Sequence, residues 1–145
     1  MNLLYEQTKA LTENEKDLIA NLSNISACLN ENLDNINWVG FYIMKNNELV
    51  LGPFQGKPAC IHIPVGKGVC GTCVKERKIQ RVEDVHKFPG HIACDCASNS
   101  EIVLPIFKNN EVVAVLDIDS PIFNRFSLED ELALKEVADY IGNLF

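Results

Sequence analysis

Reactive chemistry in this chain centres on its cysteines. Six are present, and five of them, Cys60, Cys70, Cys73, Cys94 and Cys96, fall in the middle of the sequence, while Cys28 stands apart. Clustered thiols suit redox or metal chemistry, because a reducing compartment gives purely structural disulfides little persistence. Cys94 follows His91 by three residues in a stretch, 84–98, that has no helical or strand period and contains Pro89-Gly90. A thiol in such a loop beside an imidazole fits a nucleophile better than core filler. Two further readings stay open: Cys70-Gly71-Thr72-Cys73 with Cys94 and Cys96 has enough ligands for a structural zinc, and the same C-x-x-C has the form of a dithiol redox motif.

Acidic residues also stand on strand-like segments. Asp117 and Asp119 are two apart on the otherwise apolar run 112–118, so both point to one face. Glu101 opens the neighbouring run 101–107. Trp38 and Tyr42, four apart on an aromatic and β-branched stretch, also share a face and can wall an apolar pocket.

The elements that must position these groups follow from pattern. Thr12-Glu13-Asn14-Glu15 has capping-box form, and Leu18, Leu22, Ile25 and Leu29 follow at helical spacing, which predicts a helix over 12–32 with Cys28 beside its buried face. Residues 38–43 and 49–51 form a hairpin around Asn46-Asn47. A strand over 59–64, the turn Gly66-Lys67-Gly68, a short helix over 69–76 and an edge strand over 79–82 come next. The segments 101–107 and 112–118 form a second hairpin around Lys108-Asn109-Asn110, and Ser127 caps a final amphipathic helix. This order predicts an α+β fold in one domain over 1–145: an antiparallel sheet with the terminal helices on one face and a loop-covered pocket on the other.

The chain has 145 residues, 47% of them apolar, and a net charge of −7. One core suffices for that length. The acidic balance argues against nucleic acid, whose phosphates need Lys and Arg. No basic n-region with an apolar h-region opens the chain and no apolar run reaches bilayer length, so a cytoplasmic protein without membrane attachment is expected.

The tracts Gly68-Val69-Cys70-Gly71-Thr72, Val82-Glu83-Asp84-Val85, Gly90-His91-Ile92-Ala93-Cys94-Asp95 and Ser98-Asn99-Ser100-Glu101-Ile102-Val103-Leu104-Pro105 closely resemble the free methionine-(R)-sulfoxide reductases, single-domain enzymes of the GAF fold. The resemblance continues at Asn37-Trp38-Val39-Gly40-Phe41-Tyr42 and at Ala114-Val115-Leu116-Asp117-Ile118-Asp119-Ser120. It implies Cys94 as the nucleophile, Cys70 as the main resolving thiol and Cys60 as an auxiliary one. It also implies Glu101 and Asp119 for binding and protonating the sulfoxide oxygen, Asp117 for the substrate amine, and Trp38 and Tyr42 for the methyl end. The implied reaction converts free L-methionine (R)-S-oxide to L-methionine through a sulfenic acid and an intramolecular disulfide, with thioredoxin as external reductant, no bound cofactor or metal, and a homodimeric assembly. A GAF domain that only senses a small ligand is the competing expectation, and Cys94 with Glu101 is what such a domain would not need. Cys73 and Cys96 are additions to the family pattern, Cys73 one helical turn from Cys70.

Overall fold

The computed structural model describes residues 1–90 and 97–145. Residues 91–96, which include Cys94 and Cys96, lie outside the described residues.

Two helices open the chain, α1 (Leu3–Thr12) and α2 (Leu18–Asn32). The strands β1 (Trp38–Lys45), β2 (Glu48–Gly56) and β3 (His62–Pro64) follow, then α3 (Gly68–Glu76), β4 (Gln80–Val82), β5 (Ser100–Lys108), β6 (Glu111–Ser120) and α4 (Leu128–Ile141). The strands form one sheet in the order β3-β2-β1-β6-β5-β4, and every paired strand is antiparallel to its neighbour. The short β4 occupies an edge, as expected from its sequence. Both long hairpins turn on asparagine pairs with positive φ, Asn46-Asn47 and Asn109-Asn110, the backbone that a tight hairpin with the strands' own twist requires.

The helix expected over 12–32 is two helices. Thr12 does not cap α2: its hydroxyl donates to the carbonyl of Thr8 at 2.8 Å and contacts the hydroxyl of Tyr140 at 2.9 Å, closing α1 against α4. The α2 cap is Asp17, whose carboxylate accepts from the N–H of Ala20 at 2.9 Å. Glu15 accepts from the N–H groups of Lys16 and Asp17 and holds the break between them. Asp17 thus supplies the acceptor that Thr12 was expected to provide, and the acidic residue placed three after Thr12 serves the connection. Cys28 is buried in α2. At the other end, Ser127 and Asp130 make a reciprocal capping box on α4.

Alternation along the strands separates two apolar layers. Val39, Phe41, Ile102, Leu104, Ile106, Leu116 and Ile118 pack with Leu22, Ile25 and Leu29 of α2 and Leu134, Val137 and Ile141 of α4. Trp38, Tyr42, Val103 and Val115 point the other way, to Val69, Cys70 and Cys73 of α3 and to Ile63. The helix-covered face therefore holds the core, and α3 covers the opposite face. Phe41 sits fully buried in the first layer; Phe41→Ala is expected to cost about 3 to 5 kcal/mol, read as a lowered urea midpoint with an unchanged slope. No helix among the described residues is long and apolar enough to cross a membrane.

Candidate active site

The pocket lies between the α3 face of the sheet and the loop that precedes β3. Its wall includes Trp38, Tyr42, Cys70, Glu101, Asp117 and Asp119, six of the residues singled out from sequence. Strand register explains the convergence. Glu101 on β5 is paired with Asp119 on β6, and Asp119 with Trp38 on β1, so these three side chains form a row across the sheet. Asp117 lies in the adjacent row, between Val103 and Gly40. A side chain at Gly40 would put its Cβ 2.3 Å from the Cβ of Phe54, so only glycine lets β2 approach here.

The aromatic residues hold the wall as well as line it. Trp38 stacks on Phe54 with centroids 5.1 Å apart and on Tyr42 at 5.9 Å. Trp38 Nε1 donates to the carbonyl of Lys57 at 3.1 Å, and the Tyr42 hydroxyl donates to the carbonyl of Cys60 at 2.9 Å. These two bonds fix the loop that brings Pro58 and Ala59 to the pocket. Burial pushes the Tyr42 phenol far above its ordinary range, with the nearby carboxylates and Cys70 adding to the shift. It stays neutral and is a donor.

Three ionisable groups share a small volume. One ligand-type atom from each of Cys70, Glu101 and Asp117 lies within 4.8 Å of the others. Burial raises the Glu101 carboxyl well above its ordinary value, and the charges of Asp117 and Asp119 raise it further. Asp117 is also raised by burial, but hydrogen bonds from Glu101, Cys70 and Asp119 pull it back. Glu101 is therefore the proton holder and Asp117 the acceptor in the pair. The Cys70 thiol is pushed well up by burial and then by the three carboxylates, so it rests as a thiol and not a thiolate.

This proton has a measurable consequence for folding. A carboxyl with a folded pKa above its unfolded value contributes stability below the unfolded value and loses it as pH rises through the folded one. The ordinary value for Glu101 is 4.5, so wild-type stability is expected to fall relative to Glu101→Gln as pH rises from there. Urea midpoints of the two proteins across that range give the difference directly; a constant difference would contradict the buried proton.

Of the other cysteines, Cys60 is disulfide-bonded, whereas Cys28, Cys70 and Cys73 are free and buried. Cys73 Sγ lies 3.7 Å from the carbonyl of Val103, and burial, with the charges of Asp117 and Glu76, raises its thiol far above the ordinary range. Among the described residues, Cys70 has carboxylates and not Cys73 as its metal-type neighbours. Cys94, expected as the nucleophile, lies outside the described residues.

Sequence reading did not find Pro58, Ala59, Ile63 and Lys67, which complete the wall together with Gly68, Val69 and Ser98 of the resembling tracts. Gly66-Lys67-Gly68 was legible only as a turn. In the structure, Gly66 and Gly68 both have positive φ, and the turn sets the first residues of α3 against the pocket. The side chain of Lys67 makes no cap at the helix start.

Residues 22–145 match the model of the GAF domain family. A free methionine-R-sulfoxide reductase of Escherichia coli is 58% identical over 128 residues, covering 88% of this chain and 78% of the relative. The structure of fRMsr of Staphylococcus aureus in its reduced form superposes with a TM-score of 0.95 at 58% identity, over 98% of this chain and 92% of that one. The free methionine-R-sulfoxide reductase of Neisseria meningitidis, solved in complex with its substrate, superposes with a TM-score of 0.95 at 41% identity, over 98% of this chain and 86% of that one. With the sheet order, the pocket and this identity over nearly its whole length, the chain belongs to the free methionine-R-sulfoxide reductase family of GAF-domain proteins.

Proposed function

We propose that this protein reduces free L-methionine (R)-S-oxide to L-methionine, with Cys94 as nucleophile. The observation that carries the reading is the convergence of Glu101, Asp117 and Asp119 beside Cys70 in a pocket walled by Trp38 and Tyr42. Each part answers a need of the reaction. A sulfoxide oxygen leaves only as it gains a proton, and the raised carboxyl of Glu101 keeps one, with Asp119 beside it across the strand pair. The cysteine thiolate attacks the sulfur of the protonated sulfoxide, the hydroxyl passes from that sulfur to Cys94 Sγ as the thioether departs, and a sulfenic acid remains on Cys94. A second thiol then condenses with the sulfenic acid, releasing water and forming a disulfide.

Cys70 takes that second role and Cys60 an auxiliary one. Cys70 lines the pocket and hydrogen-bonds to Asp117, an acceptor placed to take its proton as the thiol reacts. Thioredoxin, a dithiol, restores the pair of thiols; no cofactor or metal enters the cycle. The working form is a homodimer in the cytoplasm.

Asp117, buried and acidic, pairs with the substrate ammonium. The N–H groups of Val69 and Cys70 in the first turn of α3 engage the carboxylate, because a helix start offers donors and the positive end of the dipole. The stacked faces of Trp38 and Tyr42 take the methyl end.

The test is direct: the reduced protein is incubated with each epimer of free methionine sulfoxide and a dithiol, and methionine is measured. Methionine from the R epimer alone is the expected result. Equal rates with both epimers, or none with either, would overturn the assignment.

A further inference from the structure

We propose that the same pocket, in the reduced protein, is a zinc site formed by Cys70, Glu101 and Asp117, and that the bound ion excludes the amino acid. Three observations support it. The donors come from three separate elements, α3, β5 and β6, and their ligand atoms lie within 4.8 Å of one another. Asp117 is 5% exposed, and the hydrogen bonds it makes leave its Oδ1 buried without a partner. The cavity of about 50 Å³ exceeds the roughly 10 to 15 Å³ that one water needs by the same measure, so an ion with a water fits.

The donor set selects the metal. One thiolate with two carboxylates is too soft for magnesium or calcium, which take oxygen alone. Zinc accepts sulfur and oxygen together, has no redox chemistry to oxidise a thiol, and completes a tetrahedron with water. Zinc bonds of about 2.0 to 2.3 Å put neighbouring donors about 3.5 Å apart. The three side chains would close by about an ångström, which rotamer adjustment of Glu101 can supply. Zinc displaces the thiol and carboxyl protons as it binds, and its two positive charges offset the charge of the carboxylates. The site differs from an all-cysteine centre in that Cys73 takes no part. The exclusion of substrate rests on the proposed reductase reading; the metal site itself does not.

The experiment is a titration of the full, phosphine-reduced chain with Co²⁺, a spectroscopic probe for tetrahedral zinc sites, followed by displacement with Zn²⁺. A single equivalent with charge-transfer intensity for one thiolate, displaced by Zn²⁺, is expected. Cys70→Ser should remove the charge-transfer band, and Glu101→Gln and Asp117→Asn should each weaken binding about tenfold or more. Cys73→Ala should leave it unchanged. Should the variants misfold, the thiolate count in the wild-type spectrum still decides: two or more thiolates per metal would overturn the proposal in favour of a cysteine centre. Parallel assays of methionine formation under buffered Zn²⁺ separate the two readings. An active reductase without the cobalt band overturns the zinc site alone, whereas an inactive chain that shows the band, weakened by Glu101→Gln, sinks only the reductase reading. Active protein that binds zinc yet works undiminished would overturn the exclusion of substrate.

Discussion

Cys94→Ser is expected to lower methionine formation at least about a thousandfold, the scale on which removal of an essential nucleophile acts. Serine is a far weaker nucleophile toward sulfur and cannot hold the oxygen as a sulfenic acid. The buried Cys70 cannot replace it, since its thiol is held protonated by burial and by three carboxylates. Cys73 is worse placed, turned to the carbonyl of Val103. Cys70→Ser should behave differently: with excess substrate and thioredoxin, one methionine per chain is expected in a burst, then little more. The sulfenic acid forms without Cys70 but is passed on to a disulfide only inefficiently, through the auxiliary Cys60. Methionine release followed in time, with a dimedone-type trap for the sulfenic acid, distinguishes the two variants. Near-normal steady turnover by Cys94→Ser would sink the nucleophile assignment, and steady turnover by Cys70→Ser would move the resolving role elsewhere.

The central strands β1, β5 and β6 were the most legible part of the chain because they bury both of their faces with distinct chemistry. On β6, Ala114, Leu116 and Ile118 meet the helices, while Val115 and the acids Asp117 and Asp119 face the pocket. A period of two in a row of apolar residues interrupted by carboxylates could be read directly. Register was not legible: that Glu101 stands opposite Asp119 depends on where the β5–β6 turn closes. The start of α2 was misread because two residues, Thr12 and Asp17, both have cap chemistry, and the choice is made by a contact remote in sequence, Thr12 to Tyr140. Wall residues such as Pro58, Ala59 and Lys67 carry no local signal. They reach the pocket only because Trp38 and Tyr42 bind the loop carbonyls and because the glycine turn aims α3. Proton sharing between Glu101 and Asp117 likewise needed burial and distance, which no spacing reveals.

Peptide-bound methionine sulfoxide is expected to be a poor substrate, with kcat/KM about 10³-fold or more below that of the free amino acid. The proposed pocket reads two groups that a peptide no longer has. In a peptide the α-ammonium is an amide, so Asp117 would face a neutral N–H in place of a cation. Asp117 is 95% buried by its 5% exposure and already has one oxygen without a partner, so water cannot make good the loss. The α-carboxylate is also lost, and with it the anion proposed to meet the start of α3. Chain continuation adds a steric barrier, because the loop before β3 is held down at Lys57 and Cys60 by the two aromatic side chains. Free methionine sulfoxide, its N-acetyl derivative and a sulfoxide within a short peptide should therefore be compared at equal concentration with one reductant. The N-acetyl compound isolates the Asp117 contact, since it keeps the carboxylate. Asp117→Asn sharpens the comparison: it should slow the free amino acid while leaving the N-acetyl derivative nearly unaffected, narrowing the gap between them. Comparable kcat/KM for all three substrates would refute an amino-acid pocket built on Asp117 and favour a general repair enzyme acting on protein-bound sulfoxide.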